Sequence, residues 1–392
     1  MSTHQVRRLM LTVGLVGIMA LTASCGSSSS QAASDCKPIA LASIGPITGV
    51  DSATGRAPRN SAELAVRHYN ESHADCPVGL LTYDSKGTPD IAANLVSAIV
   101  GDPQIVGVVG PVFSGDSKAI LPELEKAGLA MLTGSATFPG LSANGWKTFH
   151  RLVANDATQA PAAVSYMVDR LQAKNVAVID ESGLFGKTIA DLVTQDLKDK
   201  GVNVAVRLSV DSESLSYKDA VAQVKAAGVD AVYFGGLGPP AGRFTRQLRD
   251  AKVTAPLVGA DPLYDATFIA TAGSAAVGVV ATCACVSATP QTPEQAAFRE
   301  NYKAAFGEDP GYFAAEYYDV ASLYLDAIAH GNTTRKGIQD WLQTADYPGL
   351  TKQVQFDETG EVKAGAIFLY QVDPDLKFVP IGVYRNGELT SS

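Results

Sequence analysis

The chain has 392 residues, 46% hydrophobic and 18% charged, with a formal net charge of −9 at pH 7. An acidic balance, without a basic stripe or interleaved aromatic and basic residues, argues against a nucleic-acid partner. The part beyond the first 34 residues is longer than one hydrophobic core usually serves, so two lobes are expected.

At the N-terminus, Arg7 and Arg8 precede an apolar run from Leu9 to Leu21, then Thr22-Ala23-Ser24 and Cys25. This is the layout of a secretory signal, with an apolar run too short to span a bilayer, which takes roughly 20 residues. Small residues closing on a cysteine also fit a bacterial lipobox. Residues 1–24 therefore read as a lipoprotein signal peptide, with Cys25 as the lipidation site. Residues 25–35, rich in serine and glycine, read as a flexible tether. An ordinary signal peptide with an incidental cysteine is the competing reading. The expected location is outside the cytoplasm, held at the bacterial cell membrane through the lipid only.

Four further cysteines suggest two disulfides in an exported chain. Cys36 precedes the apolar run Ile39–Ile44, and Cys76 precedes Val78–Tyr83. If those runs are neighbouring parallel strands, the two cysteines lie at the same end, within bonding reach. Cys283 and Cys285 are two apart and suit a small ring, a metal-binding CxC pair being the rival.

Apolar runs predict strands near 39–44, 78–83, 105–109, 129–132, 148–152, 175–180, 202–209, 230–235, 256–260 and 276–282, separated by amphipathic stretches such as Ser61–Asn70. Continuous apolar strands alternating with helices imply parallel sheets covered on both faces. Helices are then expected near 293–306, 312–331 and 334–344, followed by strands near 352–356, 366–372 and 377–384.

One unit occurs twice. A strand ending at Gly110 leads through a helix to a second strand and Ser135; another ending at Gly236 leads the same way to Asp261, with 25 residues between the landmarks in each case. Ligands of open parallel sheets bind beyond the carboxyl ends of the strands. Two such sheets facing each other would put loops 110–117, 133–138, 236–240 and 260–264 around one cleft. The simpler alternative is that any two strand–helix–strand units look this similar.

Signs of catalysis are missing. Phe113-Ser114-Gly115 lacks the first glycine of a nucleophile elbow, His68 and His73 have no HExxH frame, and the glycines at 235–238 have no Walker lysine. No enzyme activity, metal or cofactor is expected.

From Ile39 to about Gly382 the chain resembles the periplasmic branched-chain amino-acid receptors that feed ABC transporters. The resemblance is carried by Ile44-Gly45-Pro46-Ile47-Thr48-Gly49, Val108-Val109-Gly110-Pro111-Val112-Phe113-Ser114, Thr133-Gly134-Ser135-Ala136-Thr137-Phe138-Pro139, Phe185-Gly186, Tyr233-Phe234-Gly235-Gly236 and Tyr317-Tyr318-Asp319. It implies a type I periplasmic binding fold, an α/β protein of two doubly wound parallel-sheet lobes joined by three hinge crossings, near Val153, Thr282 and Val354. Lobe 1 would be 36–153 plus 283–353, and lobe 2 would be 154–282 plus 354–392. Cys283 and Cys285 would then lie at the second crossing.

The resemblance also implies a site. Ser114, Ser135, Ala136 and Thr137 match the positions that hold a ligand α-carboxylate, Asp261 matches the acidic partner of the ammonium group, and Phe185 matches a covering aromatic. Leu237 follows Gly236 where relatives often carry tyrosine, and Val50-Asp51 stands where they often offer another aromatic. Arg56 and Arg59, read as part of the loop after the first strand, are expected to face solvent. The implied function is capture of a small amino acid, branched-chain or related, by a monomer that delivers it to an ABC permease. A sensor or receptor for amides or small carboxylates, uncoupled from amino-acid uptake, is the alternative on the same fold.

Overall fold

The apolar runs form strands because both of their faces are covered. In the computed structural model, which describes residues 36–287 and 289–391, Leu41, Ala42, Val108, Met131 and Leu132 are wholly inaccessible to solvent. The signal peptide, Cys25 and the whole tether lie outside the described residues.

The first sheet holds β1 (Ile39–Gly45), β2 (Val78–Asp84), β3 (Ile105–Val109), β4 (Met131–Thr133) and β5 (Phe149–Arg151) in the order β2-β1-β3-β4-β5, all parallel. Helices α1 (Ser52–Ser72), α2 (Pro89–Gly101) and α3 (Ser114–Lys126) connect the first four strands. The next part of the chain carries α4 (Asp156–Ser165), β6 (Asn175–Asp180), α5 (Leu184–Asp199), β7 (Asn203–Ser209), α6 (Lys218–Ala227), β8 (Ala231–Gly235), α7 (Gly238–Asp250), β9 (Leu257–Gly259), α8 (Ala266–Ala272) and β10 (Val280–Cys283).

The chain then returns to the first lobe. Of α9 (Pro293–Phe306), α10 (Ala314–Ala329) and α11 (Arg335–Gln343), the first two pack on α1, while α10 and α11 lie against β3. After the small hairpin of β11 (Tyr347–Pro348) and β12 (Gln353–Val354), the second sheet is completed by β13 (Ile367–Val372), β14 (Phe378–Arg385) and β15 (Glu388–Ser391). Its order is β15-β14-β13-β10-β9-β8-β6-β7, parallel from β10 to β7 and antiparallel in the three late strands. The chain therefore passes between the sheets three times.

Beyond Val354 the chain still runs along the first sheet. A turn in which Asp357 Oδ1 accepts the Thr359 and Glu361 N–H groups brings the chain back along β5. There Arg151 N–H donates to Gly360 O at 2.8 Å, and Val362 N–H donates to Arg151 O at 3.1 Å. Pairing with the first sheet thus holds the chain until Val362. Arg56 and Arg59 also stand elsewhere than in a loop: α1 starts at Ser52 and includes them. Pro58, which argues against a helix on sequence grounds, sits in the second turn, where its missing N–H removes only one hydrogen bond.

Both cysteine pairs are bonded. Cys36 and Cys76 join with Cα atoms 5.5 Å apart, beside the Ile39–Val78 pairing of β1 and β2. Cys283 and Cys285 close their own ring at the end of β10, so they are not a free metal-binding pair.

Candidate functional site

The carboxyl ends of β3 and β4 face those of β8 and β9 across a cleft of about 320 Å³. That volume is at the low end for small-molecule pockets. All four loops of the repeated unit reach it: Phe113 and Ser114 from the first, Ser135 from the second, Leu237 from the third, Asp261 and Pro262 from the fourth. Asp51 and Thr54 from the start of α1, Leu184 and Phe185 from the start of α5, and Tyr312 and Phe313 before α10 complete the walls. Helices α3 and α5 approach each other across the opening.

Ser114 is the first helical residue of α3; Phe113 occupies the N-cap position without a side-chain cap. The Ser114 hydroxyl therefore does not cap the helix; it accepts the Phe138 N–H at 3.2 Å. The helix N-terminus brings unpaired N–H groups and a favourable dipole to an anion at the cleft wall. Ser135 donates to Val112 O at 2.7 Å, and its oxygen lies 3.0 Å from the Tyr317 hydroxyl.

Ala136 and Thr137 are buried behind this turn and do not line the cleft. Arg151 explains why. Its Nη1 donates to Ala136 O and Phe138 O, both at 2.9 Å, drawing the backbone inward. Ala136 N–H is also taken, by Thr133 Oγ1 at 3.0 Å. The Thr137 hydroxyl lies against Asp156, lowering a carboxyl pKa that burial raises to about 7.

Across the cleft Asp261 is 2% exposed, and its Oδ1 accepts the Ala284 N–H at 2.8 Å. Burial lifts its pKa to about 6, against the lowering effect of Ala284 and Gln159. Phe185 packs at the start of α5, half-buried, on the same wall as Leu237. Leu237 N–H donates to Glu181 Oε2 at 2.7 Å. A Cβ on Gly236 would come within 2.7 Å of Glu181 Cδ, so a larger residue there would displace the Glu181 carboxylate. Burial raises Glu181 to about 7 despite that hydrogen bond.

Asp51, Asp116, Glu181, Tyr312 and Phe313 reach the cleft although neither residue pattern nor resemblance pointed to them as ligand residues. Phe313 has a structural signal: φ is +61°, an uncommon backbone state for a bulky residue that gathers at functional sites. Of the expected set, Ser114, Ser135, Phe185, Leu237 and Asp261 meet at one cleft. The lining offers carboxylates, hydroxyls, aromatic rings and apolar side chains.

Residues 38–377 match the family model described as periplasmic binding protein. A Leu/Ile/Val-binding protein homolog from Brucella melitensis is 31% identical over 69% of this chain and 73% of its own. The chain belongs to the periplasmic binding protein family, in its Leu/Ile/Val-binding branch. A second relative of this binding protein, the Leu-, Ile-, Val-, Thr- and Ala-binding protein of Pseudomonas aeruginosa, is 28% identical over 93% of this chain and 97% of its own. Among solved structures, the substrate-binding protein LivJ of Streptococcus pneumoniae in complex with isoleucine superposes with a TM-score of 0.81. It is 22% identical and covered over its full length by 91% of this chain. The architecture is the type I periplasmic binding fold that the sequence led us to expect.

Proposed function

We propose that this periplasmic binding protein captures a small α-amino acid between its lobes and delivers it to an ABC permease. The observation that carries the reading is the opposition, across one cleft, of the α3 N-terminus with Ser114 and the buried carboxylate Asp261. The first suits an α-carboxylate and the second an α-ammonium group, so one zwitterion satisfies both walls. The relatives' named ligands, leucine, isoleucine and valine among them, support the same class. Family membership favours capture over catalysis.

In this reading the lobes are 36–153 with 283 to about 362, and 154–282 with the remainder, the chain is a monomer, and ligand favours the closed state that a permease recognises. Cys25 anchors it outside the cytoplasm; among the described residues no helix is long and apolar enough to cross a membrane.

A receptor for an amide or small carboxylate is the second reading. It is favoured by the inward commitment of Ser135 and Thr137, which leaves fewer donors for a carboxylate. A thermal-shift screen of ligand-stripped protein separates the two, since a ligand at 100 times its Kd adds about 2.7 kcal/mol of stability. Stabilisation by α-amino acids supports the first reading. Stabilisation by amides or carboxylates, with amino acids silent, replaces it with the second.

A further inference from the structure

The cleft carries a second acidic feature that an aliphatic amino acid would leave unused. Asp51 stands in the N-cap position of α1, yet its side chain makes no capping hydrogen bond and lines the cleft. Asp116, in the first turn of α3, also lines it and is completely buried; neither carboxylate oxygen accepts a hydrogen bond of ordinary geometry. The two converge on the turn after β2. Asp51 Oδ2 lies 3.3 Å from where a Cβ on Gly87 would be, and the Ser85 hydroxyl is the neighbour that lowers the Asp116 pKa. Burial, with Asp51 adding to it, nonetheless raises Asp116 to about 6.

This acidic end is distinct from Asp261. Asp51 acts electrostatically on Asp116 and Glu181, and Asp261 acts on Asp156 and Tyr233; Tyr312, which also lines the cleft, feels both Asp51 and Asp261. Glu181 is already held by Leu237 N–H and balanced in part by Arg243. No lysine, arginine or histidine lines the cleft among the described residues. Val112, Phe113, Leu184 and Phe313 supply apolar wall. A buried carboxylate without a partner is costly, and a bound cation is the group that relieves it.

Resting on the amino-acid reading above, we infer that Asp51 and Asp116 form a subsite for a positively charged ligand side chain, making the preferred ligand a basic amino acid. Its three- or four-methylene stem lies along the apolar wall with the charged tip at the acidic end. The α-ammonium group remains with Asp261.

The test is calorimetric titration of the full exported protein, stripped of ligand by unfolding and refolding, with L-lysine, L-arginine, L-leucine and L-isoleucine. Lysine or arginine is expected to bind at least about tenfold more tightly than leucine or isoleucine, the scale on which a close charge pair acts. Asp116→Asn and Asp51→Asn, made separately, should each lower the ratio of basic to aliphatic affinity about fivefold or more. Tighter binding of leucine or isoleucine to the unaltered protein, or an unchanged ratio in both variants, overturns the subsite. Asp261→Asn tests the amino-acid reading separately: it should weaken basic and aliphatic ligands alike. If it weakens neither, that reading falls; silence toward all four amino acids overturns the subsite and leaves the amino-acid reading to the thermal-shift screen.

Discussion

Ala284 donates its backbone N–H to Asp261 Oδ1 at 2.8 Å from inside the ring that Cys283 and Cys285 close. The residue proposed to meet a ligand ammonium group is therefore positioned by the short segment that the disulfide constrains. Tyr370 adds a second restraint, its hydroxyl donating to Cys285 O at 3.1 Å.

Opening the ring should loosen Asp261 while leaving the two sheets intact. Cys283→Ser with Cys285→Ser is expected to weaken amino-acid binding about tenfold, the worth of part of a charge-assisted hydrogen bond. Titration calorimetry measures the loss, and circular dichroism should show an unchanged fold. Equal affinity in the variant would mean that Ala284 holds its place without the ring.

Asp261 itself should couple binding to pH. Burial lifts its pKa to about 6, so acidification protonates the carboxylate proposed to meet the ammonium group. Affinity for an α-amino acid is expected to fall as pH drops below about 6, approaching tenfold per pH unit. Asp261→Asn should bind weakly at every pH, by about 2–5 kcal/mol, and lose that dependence. A wild-type affinity that is flat from pH 7 to pH 5 contradicts the assignment.

Stability of the ligand-free protein should follow a different profile. Burial raises Asp156 and Glu181 to about 7 each, so each holds a proton in the folded state that the unfolded chain has lost. Their contribution is present at low pH and disappears as pH rises through the folded-state value. Lowering pH from 8 to 6.5 should stabilise the protein by roughly 0.5–1 kcal/mol per group. His150, pushed down to about 4 by burial, acts in the opposite sense and removes stability as pH falls below about 6.5. Thermal melts should therefore give a Tm that is higher at pH 6.5 than at pH 8. In Asp156→Asn the rise should shrink.

The parts of this architecture that were legible in the sequence share a physical cause. Strands covered on both faces must be apolar throughout, so Ile105–Val109 and Ala231–Gly235 stand out unaided. The equal spacing of Gly110 to Ser135 and Gly236 to Asp261 survives because both strand–helix–strand units end at the same cleft. What stayed hidden depends on contacts between residues far apart in the chain. Nothing in the sequence around Arg151 marks it for burial, yet it is fully buried, and Glu361, 210 positions later, returns to meet it. In the sequence Asp51 only marks a place where relatives often offer an aromatic; the fold shows it at the start of α1, lining the cleft. How far the chain runs along the first sheet stayed hidden for the same reason, since nothing local announces that Val362 pairs with Arg151.

That arginine yields a final prediction. Arg151 pairs with Glu361 through both Nε and Nη2, while Nη1 holds the carbonyls of Ala136 and Phe138, and Asn155 adds a bond to Glu361 at 3.3 Å. One side chain thus ties the turn carrying Ser135 to the segment that leads into the third passage. Arg151→Ala would leave Glu361 partly buried without its ion partner and free two buried carbonyls, a loss expected to reach about 3–5 kcal/mol. Arg151→Lys keeps the charge but cannot reproduce the forked pairing with Glu361 together with the two carbonyl bonds, so it should recover only part of that loss. Glu361→Gln, which retains an acceptor beside the arginine, should cost less than Arg151→Ala. Chemical denaturation of the ligand-free variants orders the three. If Arg151→Ala is no less stable than Glu361→Gln, the brace lies in the surrounding packing rather than in the guanidinium.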